Sequence, residues 1–242
     1  MIIQVQINKL SNNSTYAILV SRLLLFLFFQ ALIAIFLESW EASEKYWLLT
    51  ATLTNTVSIA LLYFLFRREG LNYLDIFRIN RSLFRKDILI FLGIFLISVP
   101  LVFAPGYFLS LLIWGDPDIP AVLMFRPIES WMVYVLMVAF PITIVFAELT
   151  TYFVYVMPRL QSRMKSKWFA VLLPVLFLSI QHCTLPFIPD FSFILYRALV
   201  FLPFAFLIGI SIHFRPSLFP YFAVMHGLMD FGTAIMFLFE PR

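Results

Sequence analysis

Six ionisable side chains sit inside stretches of this chain that are otherwise apolar: Arg22, Glu148, His182, Arg197, His226 and Asp230. A charge within a bilayer is costly and faces protein or a wet cavity, so each of the six needs a reason. One carboxylate with two imidazoles can activate a water molecule as a general base. A second imidazole beside a polar neighbour can donate hydrogen bonds to a developing oxyanion. Glu148, His182 and His226 also form a recognised zinc ligand set. His226 and Asp230 are spaced i, i+4 and share one helix face. Around Glu148, helical spacing puts Thr151, Tyr152 and Tyr155 on the same side, a polar stripe in an apolar span. Such a set could serve an intramembrane active site, an ion or proton pathway, or a buried polar staple that holds helices together at about 0.6 kcal/mol per contact.

The elements that carry these residues follow from composition. Of 242 residues, 62% are hydrophobic and 12% charged, and mean hydropathy is +0.96. Soluble domains carry about 25% charged residues, and no soluble fold of this size has interior enough for so much apolar side chain. A nucleic-acid-binding domain and a disordered chain are excluded. So is an outer-membrane barrel, whose strands alternate polar and apolar residues. The chain reads as one all-α domain, a polytopic transmembrane helical bundle. Stretches of about 20 apolar residues mark the spans: 16–37, 46–66, 88–114, 130–157, 168–188, 191–214 and 217–239. The first is read as a retained span, not as a cleaved signal. Pro100 and Pro105 interrupt the third, so seven or eight spans are expected. Cys183 is the sole cysteine, so no intrachain disulfide forms.

Loop charge sets orientation. Residues 67–87, residues 158–167 and Arg215 are basic, whereas Glu38, Glu41, Glu44, Asp116, Asp118, Glu129 and Asp190 mark the other loops. Seven spans with the N-terminus inside keep every basic loop cytoplasmic, as expected in the cytoplasmic membrane of a bacterium or archaeon. The LDIFRINRSLFRKD stretch of the first basic loop reads either as an amphipathic helix on the inner surface or as a solvated loop with a few anchors. At about 1.5 Å per residue, Glu148, His182, His226 and Asp230 reach one level near the midplane, on three different spans.

The residues FAELTTYFVYVMPRLQ (146–161), LSIQH (178–182) and HGLMD (226–230) resemble the three motifs of the CAAX protease and bacteriocin-processing family, also called the Abi family, which includes type II CAAX prenyl endopeptidases. The family's first motif is Glu-Glu-x-x-x-Arg, commonly followed by Pro-Arg-Leu. The second is Phe-x-x-x-His, with Leu178 here in place of Phe, and the third is His-x-x-x-Asn/Asp. The resemblance covers about residues 130–239. It departs at Leu149, Phe153 and Val154, where the family has its second Glu, its Arg and a frequent Gly. It implies an intramembrane endopeptidase acting on a peptide or membrane-proximal protein in the bilayer, with no nucleic acid involved. Glu148 and His182 would activate water, and His226 and Asp230 would line the oxyanion site. The degenerate first motif also fits a non-catalytic relative serving peptide binding, immunity or assembly. Zinc, if bound, would sit on Glu148, His182 and His226, but the incomplete first motif weighs against it.

Arg197 could replace the missing support by pairing with Glu148 or Asp230, or it could snorkel to the outer interface. Tyr152 and Tyr155 are supporting or substrate-binding candidates. Arg22 is expected to snorkel to the cytoplasmic end of the first span. Gln181 and Cys183 flank His182 on other faces and receive no role. Gln30, Asn55 and Thr233 are candidates for hydrogen bonds between helices.

Overall fold

The computed structural model describes residues 12–239, and among these the chain is helical with no strand. Seven segments are long and apolar enough to cross a membrane. The first three are α1 (Asn12–Leu37), α3 (Trp47–Arg68) and α4 (Phe84–Trp114), with the short α2 (Trp40–Glu44) between the first two. After α5 (Ile119–Met124), the fourth span joins α6 (Ser130–Leu149), a π-helical stretch at Thr150–Val156 and α7 (Met157–Arg163). The fifth is α8 (Lys167–Ile180), ending in a 3-10 turn at Gln181–Thr184. The sixth joins α9 (Phe191–Val200) to α10 (Leu202–Phe214), and the seventh contains α11 (Phe219–Ile235). The protein is an all-α polytopic bundle, and its seven apolar helices are those of an integral membrane protein.

Of the two counts the sequence allows, the lower holds: the third span is not split, and α4 runs through both Pro100 and Pro105. A proline removes one backbone donor, a loss that membrane helices absorb through local adjustment and neighbouring side chains. Seven spans, not eight, result. The helix stops at Gly115, whose φ of 75° is left-handed and suits a residue without Cβ. Nor does the basic loop form an amphipathic α-helix. It makes one short 3-10 turn at Tyr73–Phe77, with Tyr73 and Ile76 buried and Leu74 and Ile79 exposed. Tyr73 donates its hydroxyl to the Phe146 carbonyl at 2.5 Å and so ties this loop to α6.

At the other face of the bundle, the Tyr46 hydroxyl donates to the Glu129 carboxylate at 2.9 Å. Burial and that carboxylate push Tyr46 up to about 12. Glu129 is held below its usual value by its own backbone N–H and by Tyr46. Gln30 accepts from Phe187 N at 2.7 Å and donates to its carbonyl, and Asn55 donates to Thr143 at 3.2 Å. Asn55 makes the interhelical bond that the sequence suggests, whereas Gln30 ties α1 to the loop before α9. Thr233 bonds within its own helix.

The buried apolar residues fall into two clusters. One contains Leu19, Leu62, Leu149, Leu178 and Met225, and the other contains Phe26, Ala51, Ile144, Leu185 and Ala234. On α1, α3, α6 and α11, and through the 3-10 turn that follows α8, the chain passes from one cluster to the other, and polar side chains lie at the crossing: Arg22, Ser58, Glu148, His182 and His226. The bundle is therefore two apolar layers with a polar layer between them.

Candidate functional site

The polar layer opens into a cavity of about 150 Å³ whose wall includes Glu148, His182, Arg197, His226 and Asp230. Residues as far apart as 148 and 230 in the sequence meet there because α6 packs against α11. Gly227 makes that approach possible. A Cβ on it would collide with Val145 and come within 3.0 Å of the Pro141 carbonyl.

Glu148 is 2% exposed. Its Oε2 lies 3.2 Å from Arg22 Nη2, a buried ion pair. Arg22 does not snorkel. It is fully buried, donates through Nε to Gln181 Oε1 at 2.9 Å and approaches Ser58 Oγ at 3.4 Å. A guanidinium in the middle of the layer costs less facing a carboxylate and two neutral acceptors than dragging its helix toward the interface. Gln181, which sequence spacing leaves without a role, is the hub of this arrangement, since Tyr152 also donates to its Oε1 at 3.0 Å. Gln181 is the first residue of the 3-10 turn that follows α8 and is fully buried. The available signal for Arg22 was its charge within an apolar span, but its partners are more than a hundred residues away.

His226 Nε2 lies 2.9 Å from Glu148 Oε1 and 3.4 Å from Asp230 Oδ2, which confirms that His226 and Asp230 share a face. These contacts are close enough for charge attraction but are not aligned as hydrogen bonds. Glu148 Oε1, His226 Nδ1 and Asp230 Oδ2 remain buried polar atoms without a hydrogen-bond partner. Buried polar atoms of this kind are normally satisfied by water or a ligand. His182 directs Nδ1 at the Leu178 carbonyl, 2.8 Å away, and its ring lies 4.1 Å from that of Phe201. A carbonyl can only accept, so Nδ1 carries a proton, and in the neutral ring Nε2 is then the acceptor nitrogen.

Arg197 departs from the expected pairing. It is 4% exposed, so it does not snorkel, and its donors go to the carbonyls of His182 at 3.1 Å and Leu185 at 2.6 Å. The cation beside Glu148 is Arg22. Tyr155 departs too. The π-helical stretch makes wider turns than an α-helix, so the i+7 spacing from Glu148 no longer returns to the same face. Tyr155 instead packs under Arg159, whose guanidinium lies 3.5 Å from its ring and pairs with Glu69.

The donor set does not fit a zinc site. Glu148 is engaged by a guanidinium at one oxygen, and among the described residues no group of three or more His, Cys, Asp or Glu is gathered so as to hold a metal ion.

The bundle and its buried ionisable layer define a class: a polytopic membrane protein whose spans surround a largely apolar cavity that holds a few ionisable groups. Compared with protein-family models, with curated proteins and with solved structures, the chain matches none of them.

Proposed function

We propose that the protein is an intramembrane hydrolase that cuts a peptide bond within or beside the bilayer. The supporting observation is one cavity in which Glu148, backed by Arg22, shares the wall with His182, His226 and Asp230. A water molecule held by Glu148 Oε1 and His182 Nε2 gives up a proton to this pair as its oxygen attacks the scissile carbonyl carbon. The developing oxyanion is stabilised by His226, with Asp230 beside it as the balancing charge. Collapse of the tetrahedral intermediate breaks the C–N bond, and the proton passes to the departing amine. Substrates are peptides or membrane-proximal proteins. In this reading the N-terminus and the basic loops face the cytoplasm of a bacterium or archaeon.

The test is a digest of membrane-embedded peptides by the protein in nanodiscs, read by mass spectrometry for new termini. Glu148→Gln and His182→Ala are each expected to lower cleavage by about 100-fold or more while the variants still melt cooperatively. Cleavage unchanged in folded variants would overturn the reading.

A second reading is a non-catalytic peptide-binding, immunity or assembly protein. The observation favouring it is the Arg22–Glu148 ion pair, which also serves as a structural clasp between α1 and α6. It predicts no new termini and partner binding that survives Glu148→Gln.

A further inference from the structure

The last turn of α3 carries two arginines, Arg67 and Arg68, that lie outside the polar layer. Both are exposed, and among the described residues neither forms an ion pair with a carboxylate. The acidic side chains at this end of the bundle are already engaged: Glu69 by Arg159, Asp75 by Arg78 and Asp87 by Arg215. Arg81, Arg85 and Lys86 add exposed positive charge in the next loop and the first turn of α4.

The depth of the two arginines follows from helix rise. Ser58, 3.4 Å from Arg22, belongs to the polar layer. Arg67 lies further along the same helix, about 14 Å away at 1.5 Å per residue. With the polar layer at the middle of a hydrocarbon core about 30 Å thick, Arg67 stands where hydrocarbon gives way to headgroups. One turn nearer the core, the exposed rings of Tyr63 and Phe64 face lipid. Arg67 lies 5.7 Å from the Tyr63 ring and donates through Nη1 to its hydroxyl at 3.0 Å, and Arg68 lies 5.7 Å from the Phe64 ring. These contacts hold both guanidinium groups against the lipid-facing side of α3. Beside them is an open recess of about 400 Å³, lined by Tyr63, Arg67, Gly70, Leu71 and Asn72. The planar guanidinium fork matches phosphate oxygens, and at this depth in a bilayer the available phosphates are those of lipids.

We propose that this recess binds the headgroup of an anionic phospholipid, with the phosphate accepting from Arg67 and an acyl chain running beside Tyr63 and Phe64. A zwitterionic phosphatidylcholine offers the same phosphate, but its trimethylammonium group gains nothing beside Arg68. The inference does not depend on the reaction carried out in the cavity.

The test is native mass spectrometry of the full-length protein, released from detergent micelles that contain equal amounts of phosphatidylglycerol and phosphatidylcholine with the same acyl chains. Bound phosphatidylglycerol is expected to exceed bound phosphatidylcholine about fivefold, as for one arginine acting at a membrane surface. Arg67→Gln/Arg68→Gln should bring the ratio close to one. Arg81→Gln/Arg85→Gln should leave most of the preference in place. Both pairs are exposed, so the variants are expected to melt as the unaltered protein does, and the lipid ratio of the unaltered protein is a test that needs no variant. Equal occupancy by the two lipids overturns the proposal. So does an equal loss in the two double variants, which would assign the preference to the summed charge of this end and not to the recess. Displacement of the lipid by the same concentration of soluble glycerol phosphate would assign the site to a free phosphate and overturn its identification as a lipid site.

Discussion

Arg22 and Glu148 face each other at 3.2 Å with almost no exposure, so each offsets part of the other's cost of leaving water, with His226 2.9 Å from the second oxygen of Glu148. Removing one member of a buried pair strands the other charge, at a cost of about 3–5 kcal/mol, whereas removing both costs much less. Arg22→Met is therefore expected to lower the melting temperature of the purified protein steeply. The double variant Arg22→Met/Glu148→Gln should recover a large part of that loss. Melting curves of the two single variants and the double variant complete the cycle, and additive losses would mean that the pair is not coupled. Gln181 belongs to the same network, because its amide oxygen accepts from both Arg22 and Tyr152. The residue types and depth of Glu148, His182, His226 and Asp230 were legible in the sequence, since charge is rare enough in this chain to stand out. Their partners were not, because which side chains meet depends on how far each helix is rotated about its own axis.

At the scale of elements, the joint between α6 and α11 decides whether His226 reaches Glu148. Gly227 lies at its closest point, where an added Cβ would meet Val145 and the Pro141 backbone. A side chain can give way, but a helix backbone cannot, so Gly227→Ala must push α11 outward. The expected result is a loss of about 1–3 kcal/mol in stability and a weakened Glu148–His226 contact, read by melting and by peptide cleavage. Gly93→Ala, with nothing within 4 Å of the new Cβ, is the control and should change neither. The π-helical stretch between α6 and α7 acts in the same way on register. A regular 3.6-residue repeat groups Tyr152 and Tyr155 with Glu148, while the wider turns send Tyr152 toward Gln181 and Tyr155 toward Arg159. No composition signal marks that stretch, since its residues are ordinary ones for an apolar span.

Across the whole molecule, the polar layer lies between two apolar clusters, and the bundle meets lipid through helices such as α4, whose Leu89, Leu96, Phe103 and Leu112 are exposed. Orientation belongs to this scale because it depends on the sum of loop charges. In a Cys183→Ala background, Asp118→Cys is expected to react with an impermeant maleimide on intact cells. Ser82→Cys should react only after the membrane is opened. Both residues are exposed, so accessibility does not confuse the result, and the reverse pattern would invert the proposed topology.

Sequence alone determined the class of molecule, the positions of its spans and the level at which its buried charges lie. Each of these depends on local hydrophobicity and on a rise per residue that varies little from helix to helix. Tertiary structure alone decided that Arg22, not Arg197, stands beside Glu148, that Gln181 joins the network, that Tyr155 leaves it and that α4 stays unbroken through two prolines. The reason is that a span can turn about its axis at little cost in hydrophobic burial, so the packing of side chains between helices selects one rotation. Where the helix also widens or tightens, at Thr150–Val156 and Gln181–Thr184, the repeat used to read a face from the sequence no longer applies.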